Sequence, residues 1–552
     1  MRNNKATTIS LIAPALFKIN KFRFEPWMEN KAARYYPLGL LSIATYLYHK
    51  NNDVDISIFD VNVELPLLFR SRPYHENNVL QVHDEMVKRF LLKKRPEIIG
   101  ISGLFHKTKN QVHHIAGLAK EVLPESVVVL GGCYPSTSPQ VAIKDNNVDF
   151  IVVGEGETRF EKLLHFLQGK ISENDLEGIH SSKPEIHWYP SLKSYISLKV
   201  LPPYKLSLIK IDEYLPYSSY LSDSYLKSNC VCLQLYASRG CPNKCTYCTS
   251  GAANYIGPYR PLNSDILIEH IKIYKGLGVQ ELLFWDDNPC GSPIQIKKLM
   301  RALNNDGIPY TFANMELDAI DDEILQLYFE NRASKTFQVG IESGSDEVLI
   351  NILRRKLTKS EIMKKMVSIR SFVGKEAFLR ATFMIGIPGE TKEQIHETVN
   401  FALTLPIDWA AFSCFMPIPG TPLYETAIAR GYLKIDEVNL NFDEPIMDMP
   451  HLAAKEILYL RNYANYRVNF VENKQIRANP EKTIEAFRNV LSNYPGHCLA
   501  YWGISQCYKE LGNASAYKTN LEEAVEISKQ PQWEQFMGPL FNNKIEDRLD
   551  QF

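Results

Sequence analysis

The sequence predicts a mixed α/β protein with several domains, and three observations predict it. The chain has 552 residues, more than one hydrophobic core ordinarily holds, which indicates about two to four domains. Short β-branched runs alternate with segments of helical apolar spacing through most of the chain, as in parallel sheets covered by helices. The C-terminal part carries helical patterns only. We therefore expect an N-terminal doubly wound, Rossmann-like domain, a partial (β/α) barrel and a C-terminal all-α region.

The composition excludes several classes of protein. Hydrophobic residues make up 45% and charged residues 23% of the chain, and the formal net charge is -1, so a dedicated nucleic-acid binder is not indicated. No apolar run reaches the roughly 18 residues of a membrane span. The apolar stretch near the N-terminus fits a first β-strand better than a signal peptide, which predicts a cytoplasmic protein. The 10 cysteines are clustered in part, which favours metal or redox chemistry over a disulfide scaffold.

The first predicted domain spans residues 1–180. Its β-branched runs end in glycine-containing turns, and ligands of such parallel sheets bind outside the carboxyl ends of the strands. The predicted strands are Thr7–Ala15, Val54–Asn62, Glu97–Phe105, Ser126–Ser136 and Asp149–Thr158. Pro37–Asn52 has the apolar spacing of a helix.

Two further domains follow a predicted linker. Residues 181–229 are rich in Pro, Ser and Tyr without clear periodicity, which indicates an inter-domain connection. Strand-like and helical segments alternate again in residues 230–443, which predicts the partial (β/α) barrel. Residues 444–552 form the predicted helical region.

The helical region has a weak repeat signal. Phe487 and Leu521 lie 34 positions apart, which is the period of the tetratricopeptide repeat. Three further positions fit that repeat: Pro495, Tyr508 and Ala524. A generic helical cap is the alternative. Three aromatic residues are candidates for a binding face, although a core role is more common at helical spacing: Tyr501, Trp502 and Tyr508.

The segment "SRGCPNKCTYCTSG" places Cys241, Cys245 and Cys248 in one loop. Gly240 and Pro242 flank the first cysteine and argue against a buried helical stripe. A zinc site ordinarily needs a fourth ligand, which either Cys290 or Cys232 would have to supply. Three thiolates suit a [4Fe-4S] cluster that leaves one iron open.

With Tyr247 before the last cysteine, the loop resembles the C-x3-C-x-aromatic-C signature of the radical S-adenosylmethionine (SAM) superfamily. The resemblance implies that Cys241, Cys245 and Cys248 hold a [4Fe-4S] cluster whose fourth iron binds the amino and carboxylate groups of SAM. It also implies that one-electron reduction cleaves SAM to a 5′-deoxyadenosyl radical, with a flavodoxin or ferredoxin as electron donor.

The resemblance covers roughly residues 230 to 440. "LLFWDDNPC" resembles the second barrel strand, with Asp-Asp where Gly-Gly-Glu is more familiar, and "QVGIESGSDEVL" resembles the fourth strand. "FLRATFMIGIPGET" resembles the strand that backs the adenine, and "FMPIPGTPLYETA" the sixth strand and its turn. Glu342 and Arg380 are alternatively members of structural ion pairs. The resemblance assigns SAM contacts to Tyr247, Asp286, Asp287, Glu342, Ser343, Arg380 and Ile385.

The first domain resembles the cobalamin-binding domain fused to one branch of this superfamily. The resemblance assigns cobalamin contacts to Ser102, Gly103, Leu104, Gly131, Gly132, Cys133, Gly154, Glu155 and Gly156. For Cys133, a buried structural role is the preferred alternative. His113 and His114 are interpreted as surface or packing residues. The alternative for the whole domain is a Rossmann-like fold that binds no cofactor.

One departure from many cobalamin proteins concerns the cobalt ligand. The segment from Pro14 to Pro37 lacks the D-x-H-x-x-G histidine. The resemblance then implies cobalt whose lower face is empty, bound to water or covered by an apolar side chain, which favours methyl transfer by a radical route.

The predicted function is that of a cobalamin-dependent radical SAM methyltransferase acting on an unactivated carbon of a natural product, peptide or small metabolite. One SAM would methylate the cobalamin, and a second would supply the radical that removes a hydrogen from the substrate. The alternative is a radical SAM enzyme that catalyses a rearrangement or cyclisation, with or without cobalamin. A helical interaction protein with vestigial enzymatic parts is the third interpretation. No catalytic residue is assigned, and no nucleic acid or membrane partner is expected.

Overall fold

The architecture consists of a parallel sheet domain, a partial barrel and a bundle of helices in chain order. We describe a computed structural model over residues 6–17, 19, 35–51, 53–70, 78–182, 194–215, 231–252, 256–330, 336–375, 377–433 and 445–541. Most of the Pro14–Pro37 segment, and much of the predicted linker, lie outside these described residues.

The first domain contains a six-stranded sheet. Its strands are β1 (Thr7–Ala13), β2 (Val54–Asp60), β3 (Ile98–Ser102), β4 (Val127–Gly131), β5 (Phe150–Val152) and β6 (Ile179–Ser181). They lie in the order β2-β1-β3-β4-β5-β6, all parallel except β6, which pairs antiparallel with β5. Because the chain changes direction across the sheet between β1 and β3, this topology leaves a crevice at their carboxyl ends.

Helices cover both faces of this sheet. They are α1 (Leu38–Lys50), α2 (Val61–Arg70), α3 (Val79–Lys94), α4 (Lys109–Val122), α5 (Cys133–Thr137), α6 (Pro139–Ala142) and α7 (Gly156–Leu167). One apolar core packs α3 and α4 against the sheet and includes Val87, Ile99 and Ile115. The opposite core packs α1 and α7 and includes Leu11 and Leu163. The predicted doubly wound domain is confirmed.

The second domain is built from two groups of three parallel strands, in the orders β11-β10-β7 and β12-β13-β14. The strands are β7 (Cys232–Leu235), β8 (Ser238–Arg239), β9 (Arg260–Pro261), β10 (Glu281–Phe284), β11 (Tyr310–Phe312), β12 (Thr336–Glu342), β13 (Phe378–Ile385) and β14 (Trp409–Cys414). β8 and β9 form a short antiparallel hairpin. The helices are α8 (Thr249–Ala252), α9 (Ser264–Gly276), α10 (Pro293–Asn305), α11 (Asp322–Glu330), α12 (Lys359–Val373), α13 (Lys392–Thr404) and α14 (Pro422–Ala429).

One apolar core joins the two strand groups into a partial barrel. Ala381, Phe383 and Ile385 are buried in that core together with Val399 of α13. Successive strand residues face opposite sides, and Arg380 and its alternating neighbours on β13 are only partly buried. These alternating positions therefore line the inner side of the barrel.

The first domain and the barrel share part of this core. Tyr36, Leu38 and Leu41 pack with Leu233 of β7. The Gln234 side-chain amide donates to the Tyr36 carbonyl across 2.7 Å, and the Tyr36 hydroxyl donates back to the Gln234 carbonyl across 2.5 Å. Buried polar groups satisfied in this reciprocal way fix the relative placement of the two domains.

The C-terminal helices are α15 (Ala454–Tyr466), α16 (Gln475–Ala478), α17 (Pro480–Asn493), α18 (Cys498–Glu510), α19 (Ala514–Ser528) and α20 (Pro531–Phe541). Phe487, Trp502 and Leu521 lie in their common core, with Tyr501 and Tyr508 packed against it. The aromatic residues thus have the packing role that helical spacing favours. Within the described part of the chain, no helix has the length and apolar character needed to cross a bilayer.

Two asparagines attach the helical region to the barrel. Asn469 accepts from the Ala410 amide across 2.8 Å and donates to the Ala410 carbonyl across 2.6 Å. Asn465 pairs in the same way with the backbone of Phe412. Both contacts occupy the edge of β14, whose unpaired backbone groups would otherwise need water or another strand. The helical region therefore closes and braces this edge of the barrel.

Candidate cofactor site

The three-cysteine loop follows the hairpin strand β8 and starts with a turn that only glycine fits. Gly240 has φ of 84°, and a Cβ there would lie 2.3 Å from the Pro258 carbonyl oxygen. Cys245 is buried, whereas Cys241 and Cys248 are partly exposed. The loop is therefore folded into a fixed turn and presents its thiols at the carboxyl end of the barrel.

The spacing of the thiols argues against a single zinc ion. Within the described part of the chain, the one group of three ligand atoms from His, Cys, Asp or Glu that all lie within 4.8 Å of one another is His83, Asp84 and His114. Sulfur atoms around one zinc lie about 3.8 Å apart, given Zn–S bonds of about 2.3 Å. At least two of the three loop sulfurs therefore lie more than 4.8 Å apart, which is wider than one zinc ion requires.

Two side chains donate hydrogen bonds to the loop sulfurs. Asn288 Nδ2 lies 3.5 Å from Cys241 Sγ, and Arg355 Nη1 lies 3.7 Å from Cys245 Sγ. Such donors stabilise thiolates and influence the reduction potential of an iron–sulfur cluster. The side-chain Oδ1 of Asn288 is buried and has no hydrogen-bond partner among the described residues. The donor set thus fits a thiolate-bound cluster with a further polar group beside it.

The two aspartates after β10 hold the loop in place. Asp286 is fully buried and accepts hydrogen bonds from the Ala237 amide, across 3.1 Å, and from the Ser238 hydroxyl. Asp287 accepts from the Gly240 amide across 2.9 Å and from the Ser250 hydroxyl across 2.7 Å. Burial raises the pKa of Asp286 to about 7. Loop anchoring is therefore the role the geometry gives to both carboxylates, and their contact with SAM stays a prediction.

Glu342 lies beside the loop in a strained backbone conformation. Its φ is 74°, which a residue with a side chain rarely adopts and which recurs at functional sites. Its side chain hydrogen-bonds Tyr247, and burial raises its pKa to about 7 while the nearby Arg355 cation opposes this rise. A Cβ on Gly340 would lie 2.4 Å from Glu342 Oε1. The structure therefore brings together Glu342 and Tyr247, two of the residues predicted to contact SAM.

Arg355 is a site residue that the sequence analysis missed. Besides Cys245, its guanidinium contacts Glu316 across 2.7 Å and the Gly340 carbonyl across 3.0 Å. Asn243, inside the cysteine loop, donates to the same Glu316 across 3.1 Å. The "RRK" run in which Arg355 stands gives no sequence signal that would separate it from solvent-exposed basic residues.

The remaining predicted SAM residues occupy three different environments. The Ser343 hydroxyl is buried against Thr398 of α13, 3.2 Å away, so it is held on the helix side of the strand. Ile385 is buried at the end of β13. Arg380 lies on the inner side of the barrel opposite Gln338, whose buried Oε1 has no partner among the described residues. Contacts of all three with SAM stay predictions.

The predicted cobalamin residues lie at the carboxyl ends of three adjacent strands. Ser102 ends β3 and is followed by Gly103 and Leu104. Gly131 ends β4 and is followed by Gly132 and Cys133, and Gly154, Glu155 and Gly156 lie after β5. A Cβ on Gly132 would lie 2.9 Å from the Gly103 carbonyl, whereas a Cβ on Gly131 has its nearest neighbour 3.9 Å away. Gly132 is therefore required by the packing of the two loops, whereas a Cβ at Gly131 would make only an ordinary van der Waals contact.

Glu155 is held by the barrel domain through its side chain. Its carboxylate pairs with Arg260 across 2.8 Å and with Arg239 across 3.3 Å. Contact of Glu155 with cobalamin stays a prediction, as do the contacts of the other residues at these strand ends. Since Arg239 stands two positions before Cys241, these pairs also place the loop after β5 (Val153–Gly156, the β5 loop) beside the loop that carries Cys241, Cys245 and Cys248 (the cysteine loop).

Comparisons with known proteins find relatives of both domains. The model of the radical SAM superfamily matches residues 235–402, and that of the B12 binding domain matches residues 28–164. Cytidylyl-2-hydroxyethylphosphonate methyltransferase of Streptomyces wedmorensis is 27% identical over 76% of this chain and 83% of its own length. The anaerobic magnesium-protoporphyrin IX monomethyl ester cyclase of Synechocystis is 24% identical over 80% of this chain and 85% of its own length.

A solved structure has the same fold along nearly the whole chain. The cobalamin-dependent SAM radical enzyme OxsB, with aqua-cobalamin and SAM bound, aligns with a TM-score of 0.64 at 15% identity. The alignment covers 99% of this chain and 81% of that one. The chain therefore contains a radical SAM domain that follows a B12-binding domain, in the same order as the fold of that structure.

Proposed function

We propose that the protein is a cobalamin-dependent radical SAM methyltransferase that methylates an unactivated carbon of a small molecule or peptide. The observation that carries the proposal is the contact of the two cofactor regions. Arg239, beside the cysteine loop, pairs with Glu157 across 2.7 Å, immediately after the β5 loop of the first domain. A methyl donor bound at that loop would stand at the open end of the barrel, where radical SAM chemistry generates the substrate radical.

The residues of the chain have separable tasks in this proposal. Cys241, Cys245 and Cys248 would bind the cluster, while Asn288 and Arg355 donate hydrogen bonds to two of the sulfurs. When bound, the cluster and SAM supply the radical that removes a hydrogen atom, and cobalamin supplies the methyl group. The protein orients these groups and excludes water.

Glu342 is our candidate for binding the SAM amino group. It lies next to Tyr247 and opposite the Arg355 cation, and a carboxylate accepts hydrogen bonds from an ammonium group. Arg380, on the inner side of the barrel, is the candidate for the SAM carboxylate, since a guanidinium matches that geometry.

A second candidate function uses the same cofactors without methylation. The similarity to a cyclase over 80% of this chain favours a radical rearrangement or cyclisation as the alternative. The two reactions consume SAM differently: methyl transfer yields both S-adenosylhomocysteine and 5′-deoxyadenosine, whereas a rearrangement yields no S-adenosylhomocysteine.

The deciding experiment starts with anaerobic reconstitution using iron, sulfide and hydroxocobalamin. We expect about four irons and one cobalamin per chain. Turnover with SAM labelled by deuterium in its methyl group then tests the reaction. Label in a product, with S-adenosylhomocysteine and 5′-deoxyadenosine in equal amounts, supports methyl transfer. 5′-Deoxyadenosine without S-adenosylhomocysteine supports the alternative, and four irons without cobalamin would exclude both cobalamin-dependent reactions.

A further inference from the structure

A cluster of buried charges joins the first domain to the barrel directly beside the cysteine loop. Its side chains come from the hairpin β8–β9, from the loop after β5 and from the first turn of α7. Arg239 and Arg260 are directly paired across the hairpin, and each contacts Glu155. Arg239 also contacts Glu157. We call these four residues the hairpin charge cluster.

The Arg239–Glu157 pair is largely shielded from solvent. The Arg239 side chain is 18% exposed and that of Glu157 is 3% exposed. Glu157 Oε1 lies 2.7 Å from Arg239 Nη2 and also accepts the Ser42 hydroxyl across 2.6 Å. Since Ser42 belongs to α1, the pair ties the barrel hairpin to two helices of the first domain.

The second half of the cluster reaches the β5 loop. Arg260 donates to both oxygens of Glu155, across 2.8 and 3.0 Å, and to the Ile196 carbonyl across 2.8 Å. Glu155 and Glu157 flank Gly156, where a Cβ would lie 2.4 Å from the Ile43 side chain. The β5 loop therefore has little room to move unless the hairpin moves with it.

A buried pair of this kind fixes geometry more than it adds stability. Desolvation of both charges offsets much of their attraction, whereas removal of one partner leaves a costly unpaired charge. A displacement of the β5 loop by its ligand would therefore be transmitted to Arg239, and through the one intervening residue, Gly240, to Cys241. The reverse holds when the cysteine loop closes around its own ligand.

We propose that Arg239 is a positioning residue that couples cobalamin binding in the first domain to cluster binding in the barrel. The proposal rests on the proposed function, since it requires that the chain binds both cofactors. By linkage, the coupling is reciprocal: a bound cluster strengthens cobalamin binding by the same factor as cobalamin strengthens cluster binding.

The test measures the dissociation constant of hydroxocobalamin by absorbance, with the full-length chain in cluster-loaded form and as the cluster-free C241A/C245A/C248A variant. We expect cobalamin to bind the cluster-loaded protein on the order of 10-fold more tightly. The same pair of measurements is repeated in the R239M/E157Q background, where both charges of the pair are removed and Glu155 keeps Arg260 as its partner. There the ratio of the two dissociation constants, cluster-free over cluster-loaded, should fall to about one, while cobalamin and iron are still taken up.

The matched control is R370M/D408N. Arg370 and Asp408 form a buried pair across 2.6 Å with side-chain exposures of 18% and 4%, but they lie at the amino ends of the barrel strands. This control should keep the ratio of the unaltered protein. A conservative Arg239→Lys variant keeps the positive charge but lacks the planar guanidinium that bonds two carboxylates, so it should give an intermediate ratio.

Three outcomes would overturn the proposal. They are a ratio of one in the unaltered protein, an unchanged ratio in R239M/E157Q, or a ratio in the R370M/D408N control that falls as far as in R239M/E157Q. Failure of R239M/E157Q to fold, with a normal ratio in Arg239→Lys, would assign the pair to folding alone and also overturn it. Absence of cobalamin binding in the unaltered protein would instead refute the proposed function, and the coupling with it.

Discussion

Arg355 donates a hydrogen bond to the sulfur of Cys245 across 3.7 Å while the same guanidinium pairs with Glu316 across 2.7 Å. The arginine therefore sets a positive charge beside one ligand sulfur and is itself held by a carboxylate and by the Gly340 carbonyl. Since Asn243 of the cysteine loop binds Glu316 as well, the charge and the loop are fixed to a common anchor.

Replacement of Arg355 by Met should make the reduction potential of the cluster more negative. The reduced cluster carries one more negative charge, which a neighbouring cation stabilises. We expect a shift on the order of 60 mV, equivalent to about a tenfold change for a one-electron couple. Redox titration followed by electron paramagnetic resonance measures it. Lys356→Met is the control, because Lys356 points to solvent and pairs with Asp318. An equal shift in both variants would contradict the assigned contact.

Each of the three loop cysteines should be required for iron binding. We expect each single substitution to lower the iron content after reconstitution from about four per chain to a small fraction of that value. The substitutions are Cys241→Ala, Cys245→Ala and Cys248→Ala. Quantitation of iron and sulfide checks this. Cys290→Ala is the control, because Cys290 is buried in the apolar core. Retention of one equivalent of zinc that depends on Cys290 would restore the zinc alternative.

Two adjacent glycines should respond differently to a methyl group. Gly132→Ala places Cβ 2.9 Å from the Gly103 backbone at a positive φ, so we expect lower stability by more than about 1 kcal/mol. Gly131→Ala has its nearest atom 3.9 Å away and should fold normally while weakening cobalamin binding. Thermal melts and cobalamin titrations separate the two effects. Full cobalamin affinity in a stable Gly131→Ala protein would argue that the first domain uses another surface.

The buried Glu390 should make the stability of the barrel depend on pH. Burial raises its pKa from 4.5 to about 8, although the amides of Ile387 and Gly386 oppose this. The folded chain therefore holds a proton that the unfolded chain releases between these values. The free energy of unfolding should be highest below the unfolded pKa and fall, by up to about 1.4 kcal/mol per pH unit, as pH rises through the folded pKa.

Glu390→Gln should remove this dependence, because an amide keeps a hydrogen-bond acceptor and does not titrate. Denaturant unfolding of the cluster-free protein at pH 5.5 and pH 8.5 measures the effect. The variant should gain stability relative to the unaltered chain at the higher pH. Identical pH slopes in the two proteins would show that Glu390 is ionised without cost.

The cysteine loop and the order of the domains could be predicted because both are local properties. Cysteine spacing, the flanking Gly240 and Pro242, and the alternation of β-branched runs with helical spacing are all read along short stretches of chain. The roles of Asp286 and Asp287 could not be predicted from the sequence in the same way. Their position after β10 predicted proximity to SAM, but their hydrogen-bond partners lie 47 to 49 positions away or at Ser250, beyond the reach of a local pattern.

The sequence indicated an iron–sulfur cluster through three thiols at a fixed spacing, and its resemblance to known families implied SAM and cobalamin. Tertiary structure decided which side chains serve those sites. Arg355 and Cys245 are 110 positions apart, and Arg239 and Glu157 are 82 positions apart. Such contacts form only after separate strands and helices pack, because an isolated charged residue looks the same in sequence whether it meets solvent or a buried partner.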